Sequence, residues 1–129
     1  MTVLDKKQAN SDKVKRWVKA HPDKHREMVR SWEKANPEKR REISRRSQAR
    51  RLAKARREAI TCLGGICKQC GCTDIRCLQI DHMIPLRGIK RMGTLDFYRS
   101  IVQGKRENLQ ILCANCHAIK TFYENGENV

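Results

Sequence analysis

The sequence predicts an α+β chain: a basic, mostly helical arm over residues 1–60, then a small domain over residues 61–129 in which two short strands lead into a helix. Three observations predict it. The net charge of +15 is unevenly placed, with 20 Lys/Arg against 8 Asp/Glu in residues 1–60 but 9 against 6 in residues 61–129. A 15-residue segment occurs twice in the first half, each copy with a proline at the same place. In the second half, two short apolar runs of strand length lie among two Cys-x-x-Cys pairs, Cys67/Cys70 and Cys113/Cys116.

The repeat aligns residues 16–30 with residues 31–45, and eight positions are identical, among them Trp17/Trp32, Ala20/Ala35, Pro22/Pro37 and Glu27/Glu42. Two copies are too few for a solenoid. Proline suits the first turn of a helix because its missing N–H has no intrahelical partner there. Helices are therefore expected at roughly residues 11–20, 22–35 and 37–60, each interrupted before a proline. Asn36 is a good N-cap for the third helix and His21 a poorer one for the second. Asp23 and Glu38 fall in first turns, on the favourable side of the helix dipole.

Between Lys39 and Arg57 the cations are Lys39, Arg40, Arg41, Arg45, Arg46, Arg50, Arg51, Lys54, Arg56 and Arg57, and the single acid is Glu42. Such a helix buries little and repels itself, so it is expected to order along the phosphates of double-stranded DNA. A spacer helix is the plain alternative. The tryptophans can pack on the domain or between repeats, stack on sugars or bases, or do neither.

Seven cysteines are an odd number, four of them in tight pairs, and the first ten residues are polar and charged. Paired Cys-x-x-Cys without a secretory leader reads as zinc rather than as disulfides. No apolar run approaches the ~20 residues needed to span a bilayer. A soluble, cytoplasmic protein with reduced thiols and no membrane partner is expected. A 69-residue domain is also of a size at which a core alone is marginal. Cys67, Cys70, Cys113 and Cys116 together complete a tetrahedral four-sulfur zinc site that clamps the start of the domain to its end. Cys62, Cys72 and Cys77 are left unassigned. Cys72 lies too close to Cys70 for a good knuckle, and Cys77 is expected as a small buried apolar residue.

Leu78 to His82 reads as a strand ending in Asp81-His82, closed off by Pro85. A helix from Thr94 to Val102 is expected next, with Thr94 as N-cap and Leu95, Tyr98, Ile101 and Val102 facing inward. Asn108 stands in a turn, Leu109 to Leu112 form the second strand, and Ala114 to Tyr123 form a helix with His117 in its first turns.

The order Cys-x-x-Cys, Asp81-His82, Asn108-Leu109, Cys-x-x-Cys-His117 resembles the HNH endonucleases over about residues 62–123, with His82, Asn108 and His117 at the three lettered positions. The resemblance implies a ββα-metal domain that hydrolyses phosphodiester bonds. That reaction needs an activated water, charge neutralisation on phosphate and help for the leaving oxygen, and one hard divalent cation such as Mg²⁺ meets the last two needs. Asp81 and His117 offer an oxygen and a nitrogen to such a cation. His82, on the other side of the strand, is free to act as general base. The resemblance assigns Asn108 to orienting that base, and basic helical repeats ahead of such domains occur in phage-type members, which implies a phage or mobile-element setting. Lys120, one turn after His117, is either a phosphate contact or a solvated lysine. His117 alone could also be a zinc ligand. Two other functions stay open: a non-catalytic zinc-ribbon DNA-binding protein, and an RNA-cleaving nuclease on the same core.

Overall fold

Prolines punctuate the first helices in the computed structural model, which describes residues 2–126. The chain divides into two compact units, Met1–Arg46 and Ser47–Val129. Helices α1 (Val3–Ala20), α2 (Pro22–Ala35) and α3 (Pro37–Cys62) come first. Helix α1 starts eight residues earlier than expected because Thr2 and Asp5 form a capping box. The Thr2 hydroxyl accepts from the Asp5 N–H at 3.2 Å, and the Asp5 carboxylate accepts from the Thr2 N–H at 2.9 Å. Asn36 turns backward, its amide donating to the Trp32 carbonyl at 3.0 Å and so finishing α2. No residue of α1 or α2 is buried. Trp17 lies against the His21 ring, 5.4 Å between centroids, and remains 41% exposed; Trp32 is 43% exposed.

The second unit begins well before residue 61. Ala55, Ala59 and Ile60 are buried, so the last turns of α3 are part of its core rather than of the arm. Gly64 and Gly65, both at positive φ, then end the helix, and the Gly65 N–H returns to the Ile60 carbonyl at 3.0 Å. Strands β1 (Leu78–His82) and β2 (Leu109–Cys113) form a two-stranded antiparallel sheet in which Leu78 faces Cys113 and His82 faces Leu109. Helix α4 (Thr94–Val102) lies between them in sequence, and α5 (Ala114–Glu124) follows β2 directly.

One core cluster joins Ile60, Cys67, Leu78, Ile111, Leu112 and Cys113, and a second joins Ala59, Ile101 and Leu109. Five large aliphatic side chains are essentially fully buried: Ile60, Leu78, Ile101, Ile111 and Leu112. Each contributes ~1.5–3 kcal/mol, a small total that leaves a role for cross-linking. Arg106 ties two helix ends together, its guanidinium donating to the carbonyls of Ile101 and Cys62 at 3.2 Å each.

Three local expectations are corrected. The N-cap of α4 is Gly93, without a side-chain cap, and Thr94 is the first helical residue. Val102 faces out at 42% exposure, while Phe97 packs on the second cluster in its place, because the buried stripe of α4 runs through Phe97, Tyr98 and Ile101. Cys77 is exposed, since the turn from Asp74 brings only the following residue, Leu78, into the core.

Candidate metal centre and active site

The four paired cysteines meet as expected. The Sγ atoms of Cys67, Cys70, Cys113 and Cys116 all lie within 4.8 Å of one another, with Cys70 and Cys113 3.6 Å apart. A tetrahedron with ~2.3 Å zinc–sulfur bonds has edges of about 3.8 Å, so the cluster fits zinc. Among the described residues it is the one group of three or more metal-binding side chains of this kind. Backbone geometry makes each knuckle. Gly71, at φ +74°, lets the chain turn back so that its N–H donates to the Cys67 carbonyl, while the Cys67 N–H donates to the Cys72 carbonyl, both at 2.9 Å. Cys113 is the N-cap of α5, and its sulfur accepts from the Cys116 N–H at 3.5 Å.

The electrostatics favour a cation there. Burial opposes the Cys67 thiolate, but hydrogen bonds from the backbone of Cys70, Cys113 and Gln69 outweigh it and bring its pKa down to about 6. The Cys116 thiol goes the other way, up to about 12, first through its hydrogen bond with Cys113 and then through burial. Sulfurs this close can all be thiolates only when a metal shares their charge.

Asp81 and His82 close β1 on opposite faces. The Asp81 side chain is buried, 7% exposed, and three side chains surround it, two of them hydrogen-bond donors. His117 Nε2 lies 3.4 Å from Oδ1. The Gln110 amide donates to Oδ2 at 2.8 Å, from the position directly across the sheet. Lys120 Nζ lies 3.2 Å from Oδ1 and 3.0 Å from Oδ2. Burial works against the Lys120 charge, yet its hydrogen bonds to Glu124 and Asp81 prevail and hold its pKa above the ordinary lysine value. The structure thus brings Asp81 and His117 together, and it places Lys120 on the same carboxylate rather than free for phosphate.

The His82 ring stacks on Phe97, 5.6 Å between centroids at 28°. Asn108, at φ +60°, uses both ends of its side chain on Ile84: its amide donates to the Ile84 carbonyl at 2.8 Å, and its carbonyl accepts the Ile84 N–H at 2.7 Å. The Met83 N–H donates to the Asn108 carbonyl at 3.0 Å. Asn108 therefore acts on the two residues after His82, and any orientation of the imidazole passes through the backbone. A cavity of about 750 Å³ opens over the centre, lined by Asp81, His82, His117 and Lys120 and by the cations Arg87, Lys90, Arg91 and Lys105.

The basic residues divide between the units. In the first unit Lys39, Arg41 and Arg45 have no ion pair among the described residues, whereas Arg40 and Arg46 pair with Glu33 and Glu42 at 2.9 and 3.5 Å. In the second, Arg50, Arg51 and Arg57 are exposed and Lys54 meets Glu58 at 3.9 Å. Arg56 leaves this set. Its guanidinium donates to the carbonyls of Ile75 and Leu78, so it fastens α3 to the start of β1.

Gln110, Phe97 and Glu124 were not foreseen. Gln110 carried a signal, as a lone polar residue in an apolar strand. Glu124 carried another, four residues after Lys120 on one helix. The Phe97 contact spans fifteen residues and left no local mark.

Two antiparallel strands and a helix that opens on a cysteine knuckle form a ββα unit, with a buried aspartate between a histidine and a lysine. Residues 67–122 match the family model described as HNH endonuclease, a family of nucleases. No curated protein and no solved structure matches the chain. Among the described residues no helix is long and apolar enough to cross a membrane.

Proposed function

We propose that this protein is a divalent-metal-dependent endonuclease that hydrolyses phosphodiester bonds in double-stranded DNA. The observation that carries the reading is the meeting of Asp81, His117 and His82 on one cation-lined cavity. Asp81 and His117 would hold a hard divalent ion such as Mg²⁺, and carboxylate with imidazole is a suitable donor pair for one. When bound, that ion supplies charge neutralisation at the phosphate and at the departing oxygen. His82 takes the proton from the attacking water, its ring stacked on Phe97 and the two residues after it held by Asn108. Cys67, Cys70, Cys113 and Cys116 would hold a structural zinc, which needs reduced thiolates and so fits a reducing compartment such as the cytoplasm. The exposed cations of α3 run along phosphates, and Arg87, Lys90, Arg91 and Lys105 add positive charge at the cavity. A small nuclease domain behind a basic helical arm supports a phage or mobile-element setting.

The test incubates zinc-loaded protein with supercoiled plasmid and with single-stranded RNA, each with and without Mg²⁺ or Mn²⁺. Metal-dependent nicking or linearisation of the plasmid is expected, lost in His82→Ala with zinc content and DNA binding unchanged. Cleavage by His82→Ala at the wild-type rate removes His82 as the base. Cleavage of RNA alone moves the substrate class, and binding without cleavage of either leaves a DNA-binding protein.

A further inference from the structure

Lys120 has an unusual set of partners for a residue beside a metal ligand. Its ammonium has three N–H donors, and three acceptor groups meet it: the Asp81 carboxylate at 3.0 Å, the Glu124 carboxylate at 2.9 Å and the His82 carbonyl at 2.7 Å. The chain thereby supplies a positive charge to a carboxylate that is almost sealed from water. A buried carboxylate without a counter-charge is costly, and this one is fully provided for. Both oxygens of Asp81 are engaged, Oδ1 by Lys120 with His117 Nε2 3.4 Å away, Oδ2 by Gln110 and Lys120.

A divalent cation approaching Asp81 meets a cation already there. Two positive charges cannot share one small carboxylate without strong repulsion. The metal must take the oxygen that Lys120 holds, and the ammonium must go elsewhere. Glu124 gives it a place to go. It lies one helical turn beyond Lys120 on α5 and is already bonded to it, so the lysine can release Asp81 while keeping a carboxylate.

We propose that Lys120 is a tethered counter-cation for Asp81, and that divalent-metal binding is an exchange in which the ion displaces the Lys120 ammonium onto Glu124. Lys120 is then a positioning residue that sets metal affinity. It keeps the buried carboxylate paired while no divalent ion is bound, at the expense of tight binding when one arrives. The inference rests on the proposal that Asp81 and His117 take the divalent ion, and the experiment separates the two.

Mn²⁺ is titrated into zinc-loaded full-length protein by calorimetry, for the wild type and for Lys120→Met, which keeps the length and apolar stem of the side chain without its charge. The variant should bind Mn²⁺ about tenfold more tightly, within the ~5–150-fold range usual for coupled equilibria. Without Mn²⁺ the variant should melt below the wild type, and added Mn²⁺ should raise its melting temperature by more. In the wild type, saturating Mn²⁺ should also increase the rate at which an amine-acylating reagent modifies Lys120, read by peptide mass spectrometry. Equal or weaker Mn²⁺ binding by Lys120→Met, or an acylation rate that Mn²⁺ leaves unchanged, overturns the exchange while the metal site stands. Absence of Mn²⁺ binding in both proteins overturns the metal site and the exchange with it. Should Lys120→Met fail to fold, Lys120→Gln and the acylation experiment on the wild type decide the matter alone.

Discussion

Replacing Cys116 by serine removes one sulfur from the cage, and the structure gives a magnitude for the loss. The cage ties Cys70 to Cys113 across a separation of 43 residues. In the chain-entropy model, a cross-link over such a loop restricts the unfolded chain by about 4 kcal/mol. This is a lower figure, because structural zinc in small domains is held with ~10–16 kcal/mol of apparent binding energy. For a domain of this size each kcal/mol moves the melting midpoint by ~4–8 °C, so the cross-link alone corresponds to a fall of roughly 16–32 °C. Most small domains with ordinary midpoints of ~45–65 °C would not survive that at 37 °C. The assay is a thermal melt by circular dichroism with zinc measured by elemental mass spectrometry on the same sample. Cys116→Ser should lose zinc and its cooperative transition. Cys77→Ala, at an exposed position outside the cage, should keep both with a shift of a few degrees at most. If Cys116→Ser retains one zinc per chain and melts within a few degrees of the wild type, the reasoning about the cage fails.

Leu78 is fully buried in the cluster that contains two of the cage cysteines, so Leu78→Ala should cost ~2–5 kcal/mol in urea unfolding, and a cost below 1 would show that the site collapses around the gap. Asn108→Gly keeps a residue that tolerates φ +60° but loses both bonds to Ile84; it should cleave more slowly while binding zinc normally, and unchanged cleavage would remove Asn108 from the positioning of His82. Arg50, Lys54 and Arg57 share one face of α3, opposite the buried Ala55 and Ala59, so replacing all three by alanine should flatten the slope of log affinity against log salt by about 3 on duplex DNA. Arg56→Ala should lower stability and leave that slope alone, since its guanidinium is bonded to carbonyls; the opposite pattern would return it to the DNA-facing set.

What could be read from the sequence was what is encoded locally. Strand β1 was legible to the residue because alternation and Pro85 bracket it, and β2 ran one residue further, to Cys113. The end of α2 was legible through Pro37 and that of α4 through the turn at Gly104, whereas the cap that starts α4 was misplaced by one residue, on Thr94 instead of Gly93. The cage was legible because knuckle spacing is a short-range constraint. What escaped depends on partners distant in sequence. Nothing near Arg56 indicates that the carbonyls of Ile75 and Leu78 will take its guanidinium, and nothing near Lys120 indicates that Asp81, 39 residues earlier, will hold it. The division at residue 46 was hidden for a related reason. The basic character of α3 continues past it, while Ala55, Ala59 and Ile60 are recruited to the core by strands that come much later. The Thr2–Asp5 capping box was local and readable, and it extends α1 through a stretch with too few apolar residues to signal a helix by periodicity.

The four-cysteine cluster and the Asp81–His117 pair are joined through few bonds along the chain, so a zinc held by the cysteines would position the proposed cleavage centre without touching substrate. His117 follows Cys116 directly, and Lys120 lies one turn later on the same helix. The first turn of α5 is fixed by the Cys113 sulfur accepting the Cys116 N–H and by the Ala114 N–H donating to the carbonyl of Cys77, the residue just before β1. The Asp81 end of β1 is set in turn by its register with β2, which places Gln110 opposite it and ends at Cys113. The 3.4 Å between Asp81 and His117 is therefore determined by a closed circuit of β1, β2, the second knuckle and α5. The Asp81–His117 contact depends on the first turn of α5, whereas the pairing of β1 with β2 does not. Partial zinc loss should then abolish divalent-ion binding at Asp81 and His117 while the strands are still paired, so that the structural metal sets the affinity for the catalytic one.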